Sequence, residues 1–418
     1  MSISFKILFS RFLTRFGDQA WDFAIPLVLI SLFPGQLQNV AGYYLISKIA
    51  QFFLNPLVLR WIDRFPRTSI YKLGIGSQTL AVLLTWFLIS QFSTILATEH
   101  TRTYWIIYFS LGIIGIIGSL GSTLMEISVG YDLAADLIPE SQLPVFNSRL
   151  KRIDLFTEVS APIFAGAVML IPNTETWNIG FSIVALLNFI TFIPEYILLT
   201  SIPELNLTEK PVDPSSSVNP IQEFSAGIKD FNDARFVIPM IAYAFLWLSV
   251  LSPHGVLLSG FLKDGNKLSE FQISLFRGLG AFFGMIPTFL FPLMNKKWGL
   301  ILASKILLGF QALCVALAAL FFNLEFQGSV YLFLLMILFS RIGLYGFSIA
   351  ESEARQIFIP ALVRGRVNGV GVSLTSFATL ILFLIGTLLP NSNDFNVLVN
   401  LSAVSVIAGY LVLLKWKK

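Results

Sequence analysis

Apolar runs long enough to cross a bilayer as helices recur through all 418 residues of the chain. In hydrocarbon each backbone N–H and C=O must be satisfied within its own segment, so such runs fold as helices. About twelve spans fit the pattern, over 5–33, 39–60, 68–93, 103–135, 148–172, 177–202, 235–262, 269–294, 299–323, 328–357, 366–390 and 394–415. Only 12% of residues are charged, against about 25% in soluble domains. Mean hydropathy is +0.77. The reading is an all-α membrane protein, resident in a lipid bilayer. The first run carries Arg11, Arg15 and Asp18 with no small-residue cleavage site after it, so no cleavable signal is expected. Cys314 is the single cysteine, which excludes a disulfide framework or a thiolate metal cluster within one chain. No basic stripe with interleaved aromatics lies outside the spans, so nucleic acid is not expected as a partner.

Positive charge sets the orientation. Arg60, Arg64, Arg67 and Lys72 crowd the second connection, and Arg149, Lys151 and Arg152 the fourth. Lys296 and Lys297, Arg364 and Arg366, and Lys415, Lys417 and Lys418 mark the eighth connection, the tenth and the tail. Arg102, Lys263 and Lys267 are the main exceptions. The positive-inside bias therefore places both termini in the cytoplasm. The longest polar stretch, with KPVDPSSSVNP, falls near the midpoint and reads as a linker. It divides the chain into an N-terminal six-helix bundle (1–204), a cytoplasmic linker (205–234) and a C-terminal six-helix bundle (235–418). A faint echo supports duplication: Ile138-Pro139 is followed by Asn147, and Ile359-Pro360 by Asn368, in corresponding connections.

Within the spans, FGDQAWDFAIPLVLISL (Phe16 to Leu32) places Asp18 and Asp22 one turn apart on one helical face. A charged carboxylate at mid-bilayer costs roughly 2.5–3.5 kcal/mol even on lenient scales, so the pair suggests that a cation or a proton is handled there. The competing reading is a helix end near the headgroups with both acids wet. Lys48, Gln78, Asp154, Glu158, Asn188 and Glu195 are further polar groups in the first half. Asp18, Gln78, Asn188 and Glu195 would together offer oxygen ligands with enough charge to neutralise a divalent cation. Taken singly, Gln78 and Asn188 are equally explained as interhelix hydrogen bonds, and Glu195, after Pro194, as a membrane-edge residue.

The seventh span contains Leu251-Ser252-Pro253-His254-Gly255, a helix break in mid-membrane. Discontinuous spans mark binding sites or hinges in transporters, because the freed backbone groups need a ligand or water. His254 stands at the break, and neutral imidazole suits iron, zinc, cobalt and nickel. A lone histidine is also a common structural residue. Arg277 and Arg341 lie within spans and need partners that the sequence does not name.

Gly17-Asp18-x-x-Trp21, Trp61-Ile62-Asp63-Arg64 with Arg67, Arg152-Ile153-Asp154 with Ala161-Pro162, Asn188 with Glu195-Tyr196, Ser340-Arg341-Ile342-Gly343-Leu344 and Asn368-Gly369-Val370 occur in that order. In these motifs the chain resembles the ferroportin family, iron exporters of the major facilitator superfamily. The resemblance implies a major facilitator fold with a broken seventh helix. It makes Asp18 the first metal ligand and joins Gln78, Asn188 and Glu195 to it in a calcium-binding arrangement. It places Thr191 and Phe192 along the N-terminal site, Asp154 and Arg341 at the cavity and His254 at a C-terminal site. It implies a cytoplasmic gate of Arg67, Asp132 and Arg364. Asp22 stands where vertebrate members carry a metal-binding histidine, and Gly255 and Leu382 where they carry further site residues. A bacterial member of the inner membrane is expected.

The expected function is a divalent-metal exporter, ferrous iron first, working by alternating access with metal–proton exchange. Calcium is an activator or is itself carried, no other cofactor is implied, and the chain is expected to act as a monomer. The alternative is an efflux carrier of the same superfamily for an organic molecule such as a siderophore or drug. A non-transporting sensor would need a signalling domain, and none is visible. No nucleophile–base pair, phosphate loop or zinc motif suggests an enzyme.

Overall fold

The computed structural model describes residues 2–32, 37–98, 102–171, 179–202, 227–231, 237–253, 257–258, 261–262, 270–324, 328–388 and 395–417. Every regular element among them is helical. The expected linker lies outside the described residues except for 227–231, which are helical.

In chain order the elements are α1 (Ile3–Leu32), α2 (Leu37–Leu59) and α3 (Arg67–Thr98). They continue as α4 (Arg102–Leu137), α5 (Leu143–Met169), α6 (Ile179–Thr200) and the short α7 (Val237–Leu246). Glu270–Asn323 is two helices, α8 and α9, joined where Gly299 adopts φ +75°. That is left-handed backbone, which glycine enters at no steric cost. Ser329–Phe358, Arg364–Leu388 and Phe395–Leu414 are α10, α11 and α12. The helices follow the apolar runs read from the sequence.

One feature of the helices was not read from the sequence, and one extends the echo that was. Residues Ser128–Leu133 of α4 form a π-helical turn, a geometry that occurs mostly as single bulges at functional positions. The two Ile-Pro steps also share one backbone. Ile138 and Ile359 are extended, with ψ 122° and 117°. Pro139 and Pro360 follow with φ −55°, ψ 139° and φ −58°, ψ 143°. Each leads through a three-residue 3-10 turn into the next long helix.

The described chain divides into two compact units. One comprises Met1–Ile138, Phe156–Gly227 and Pro360–Val370, and the other Pro139–Leu155, Ile228–Ile359 and Gly371–Lys418. Thus α5 begins in the second unit, and α11 begins in the first. In the first unit α1 packs on α6, α3 on α4 and α6, and α2 on α4. Its core joins Ala20, Ala24, Val28, Tyr104, Leu111, Ala161 and Phe181. In the second unit α10 and α12 pack against the α8–α9 pair, and α7 against α12. Phe291, Phe333, Phe347 and Val406 are among its fully buried apolar residues. Large apolar side chains such as Phe53, Ile163, Leu293 and Val404 are each more than 60% exposed. Apolar surface on this scale fits a hydrocarbon solvent rather than water.

Candidate metal centre

The acidic cluster of the first unit is built on α1, α3, α4 and α6. The Ser122 hydroxyl of α4 donates to Asp18 Oδ2 at 2.7 Å, and Gln78 Nε2 of α3 lies 3.4 and 3.5 Å from the two carboxylate oxygens. Gln78 Oε1 is buried and has no hydrogen-bond partner among the described residues. Glu195 of α6 is 1% exposed, and its Oε2 also lacks a partner. Glu195 interacts electrostatically with Asp18 and Arg11, and with Thr14 by a hydrogen bond. Two acceptor oxygens kept from water in this way are costly unless something fills the need.

Local sequence explains the approach of α1 to α6. A Cβ at Gly17 would stand 2.9 Å from both Asn188 Oδ1 and Thr191 Oγ1, so a larger residue there would force the helices apart. Asn188 spends its amide on the Val184 carbonyl at 3.1 Å, and its Oδ1 points toward α1. Thr191 donates to the Asn188 carbonyl, and Phe192 is buried beside it in sequence. Trp21 stacks on Phe181, with ring centroids 5.2 Å apart. Asp22 is exposed one turn beyond Asp18 and interacts electrostatically with Asp18, Lys48 and Arg15.

The structure therefore brings together Asp18, Gln78, Asn188, Thr191 and Glu195, with Asp22 one turn away. The oxygen-rich, acid-containing set with two unpartnered acceptors fits a hard divalent ion such as calcium. Sequence reasoning missed Ser122. It lies just after Gly115, Gly118 and Gly121, whose spacing of three gives α4 a narrow face against Tyr43, Ala81 and Ser77. Among the described residues no three His, Cys, Asp or Glu side chains are placed to hold a metal ion by themselves. The cluster relies instead on amide and hydroxyl oxygens. His254 and Gly255 lie outside the described residues. Asp154 is half-buried on α5, within the second unit.

Arg67, Asp132 and Arg364 also come together, with Asp136 as a fourth member that sequence reasoning missed. Arg67 Nε donates to Asp132 Oδ2 at 2.8 Å, and its other arm pairs with Asp136. Arg364 Nη1 reaches Asp136 Oδ1 at 2.8 Å and the Asp132 carbonyl at 3.1 Å. Asp132 is wholly buried and the side chains of Arg67 and Arg364 nearly so, which shields these charges from water. Beside them Asp63 accepts the backbone N–H groups of Gly365 at 2.6 Å and Arg366 at 2.9 Å, meeting orphan donors at the start of α11.

A family model described as Ferroportin1 matches residues 1–406. Ferreportin of Bdellovibrio bacteriovorus is 42% identical over 421 residues, covering 100% of this chain and 95% of that protein. Human ferroportin is 21% identical, over 98% of this chain and 90% of its own length. A crystal structure of a bacterial homologue of the iron transporter ferroportin, outward-facing with soaked iron, superposes with TM-score 0.90 at 42% identity, over 100% of this chain and 99% of that one. An inward-facing structure of a bacterial homologue gives TM-score 0.67 at 41% identity, with the same coverage. The fucose:proton symporter FucP, at 11% identity and TM-score 0.71, covers 100% of this chain and 99% of its own and shares only the fold. The chain is thus a multi-pass membrane protein of the major facilitator fold, and it belongs to the ferroportin family of metal transporters.

Proposed function

We propose that this protein exports a divalent metal ion, with ferrous iron the first to test, from the cytoplasm of a bacterial cell across its inner membrane. The observation that carries the reading is the Asp18 cluster, in which buried Gln78 Oε1 and Glu195 Oε2 stand unpartnered beside a carboxylate. A cation is the simplest group that satisfies such oxygens together. Iron soaked into a bacterial homologue supports the choice of metal. Asp18, Asp22, Asn188, Thr191 and Phe192 would contact the transported ion. Asp18, Gln78, Asn188 and Glu195 would hold calcium, which when bound would neutralise the carboxylates. His254 would serve a second site in the C-terminal half, and Asp154 the cavity. The protein works as a monomer with cytoplasmic termini.

Transport proceeds by alternating access, with the buried Arg67–Asp132–Asp136–Arg364 network as the cytoplasmic latch. Carboxylates that release a metal ion take up protons, which supplies a route to metal–proton exchange. Proteoliposomes loaded with a metal-sensitive dye test the reading. Uptake of Fe2+ and Co2+ should be lost in Asp18→Ala and should rise with external pH in the parent. Failure of the parent to move either ion overturns the metal reading, and flux unaffected by pH removes the exchange. Calorimetry with Ca2+ on Glu195→Gln, expected to lose binding, tests the calcium site.

A further inference from the structure

The break that follows α7 leaves backbone groups without helical partners in a buried setting. Trp247 and Leu248 donate to Ala244 and Phe245 carbonyls in a tightened last turn, after which regular helix stops. Val250 and Leu251 are buried, at 3% and 0% exposure, so water does not meet the freed groups. Each one left unmet would cost about 1–3 kcal/mol.

Side chains from two other helices meet them. On α12 the Ser402 hydroxyl accepts the Val250 N–H at 2.9 Å and donates to its own Leu398 carbonyl at 2.7 Å. Three residues on along α12, Ser405 donates to the Phe245 carbonyl at 2.6 Å, a second bond on an oxygen that already accepts the Leu248 N–H. On α10 the Arg341 guanidinium donates to the Leu251 carbonyl at 2.6 Å and to Ser340 Oγ at 3.0 Å. Arg341 is 4% exposed and lies within a membrane span. A charge so placed is expensive unless it has work there. On α8, a Cβ at Gly280 would fall 2.6 Å from Pro253 Cγ, so only glycine lets that helix approach the break.

In transporters with discontinuous helices, unwound carbonyls commonly coordinate a coupling ion such as sodium. We propose that Arg341 is a resident cation at this break and, with Ser402, a positioning residue that holds the backbone of Val250 and Leu251 in one conformation. The chain itself supplies the positive charge that a bound monovalent ion supplies elsewhere. Broken α7 is thereby tied to α10 and α12 and moves with them. The inference rests on the transport reading above for its functional arm and on geometry alone for its structural arm.

The test compares full-length parent, Ser402→Ala, Arg341→Lys and Arg341→Gln in lipid nanodiscs and proteoliposomes. Amide hydrogen exchange over 247–253 should quicken in Ser402→Ala, and more in Arg341→Gln. Maximal Co2+ uptake should fall about tenfold in Arg341→Gln with KM little changed, in line with other supporting-residue losses. Arg341→Lys, which keeps charge and a donor, should recover part of both. Parent uptake should be the same in sodium and choline buffers. Parent-like exchange in both Ser402→Ala and Arg341→Gln overturns the clamp. Quickened exchange with unchanged uptake overturns the positioning role, and sodium-dependent parent uptake overturns the resident-cation role. If Arg341→Gln does not purify as a single species, Ser402→Ala and Arg341→Lys decide. A parent that moves no metal defeats the transport reading, while exchange still judges the clamp.

Discussion

The turn at Pro139 and the turn at Pro360 share one backbone and carry different chemistry. The first leads into α5, where Asn147 and Gln356 exchange amide hydrogen bonds of 2.6 and 3.0 Å, both side chains buried and neutral. The second leads into α11, where Arg364 enters a buried ionic network with Asp132, Asp136 and Arg67. In the second turn the asparagine eight residues after the proline remains, and Asn368 donates back to the Arg364 carbonyl at 2.8 Å. The same bend occurs at both places, and the work done at each differs. A neutral amide pair is cheap to hold and cheap to part. A buried ionic group strongly resists losing one member.

The contrast sets the order of expected effects. Asp132→Ala should cost about 3 kcal/mol of unfolding free energy, the low end for breaking a buried ion pair, because Asp136 still faces both arginines. Chemical denaturation in detergent measures it, and a loss below that of the neutral pair would erase the distinction. Asn147→Ala should cost about 1–3 kcal/mol by removing the partner that Gln356 has on α5, whereas Asn147→Leu with Gln356→Leu should cost less than the single change. A double variant as damaged as the single would show that the pair does more than satisfy itself. Glu126 gives the outer calibration. It pairs with Arg11 and Arg15 at 3.4 and 3.2 Å but is 36% exposed. Glu126→Gln should change stability by under about 1 kcal/mol, and less still in high salt.

The helices were legible because lipid-depth backbone has so few alternatives. Even the division near residue 297 agrees with the Gly299 corner. Asp18, Gln78, Asn188 and Glu195 were legible because a polar group in an apolar run must have a reason to be there. Other parts were hidden for equally physical reasons. Ser122 is small and common, and it matters only because α4 presents a glycine face to α3. Asp136 reads as an ordinary helix-end acid until Arg67 and Arg364 meet on it. The Asp63 contact to the start of α11 joins residues 302 and 303 positions apart, a separation that no local pattern reveals. Arg341 announced a need for partners, but the one it meets on the broken seventh helix is a main-chain carbonyl, and carbonyls carry no sequence signature.

The wide turn at Ser128–Leu133 has a consequence for how α4 tolerates change in length. Upstream, Gly121 and Ser122 address α3 and Asp18; downstream, Asp136 addresses the two arginines. The wider winding absorbs one extra residue, so deleting one there while the turn returns to ordinary winding leaves the rest of the helix in nearly its present phase. A deletion in the regular helix on either side has no such slack and would swing Asp136 by about 100° away from its guanidiniums while the glycine face stayed in place. This short stretch acts as a length buffer between two tasks on one rod, so a single-codon deletion inside it should be far more forgiving than one just outside it.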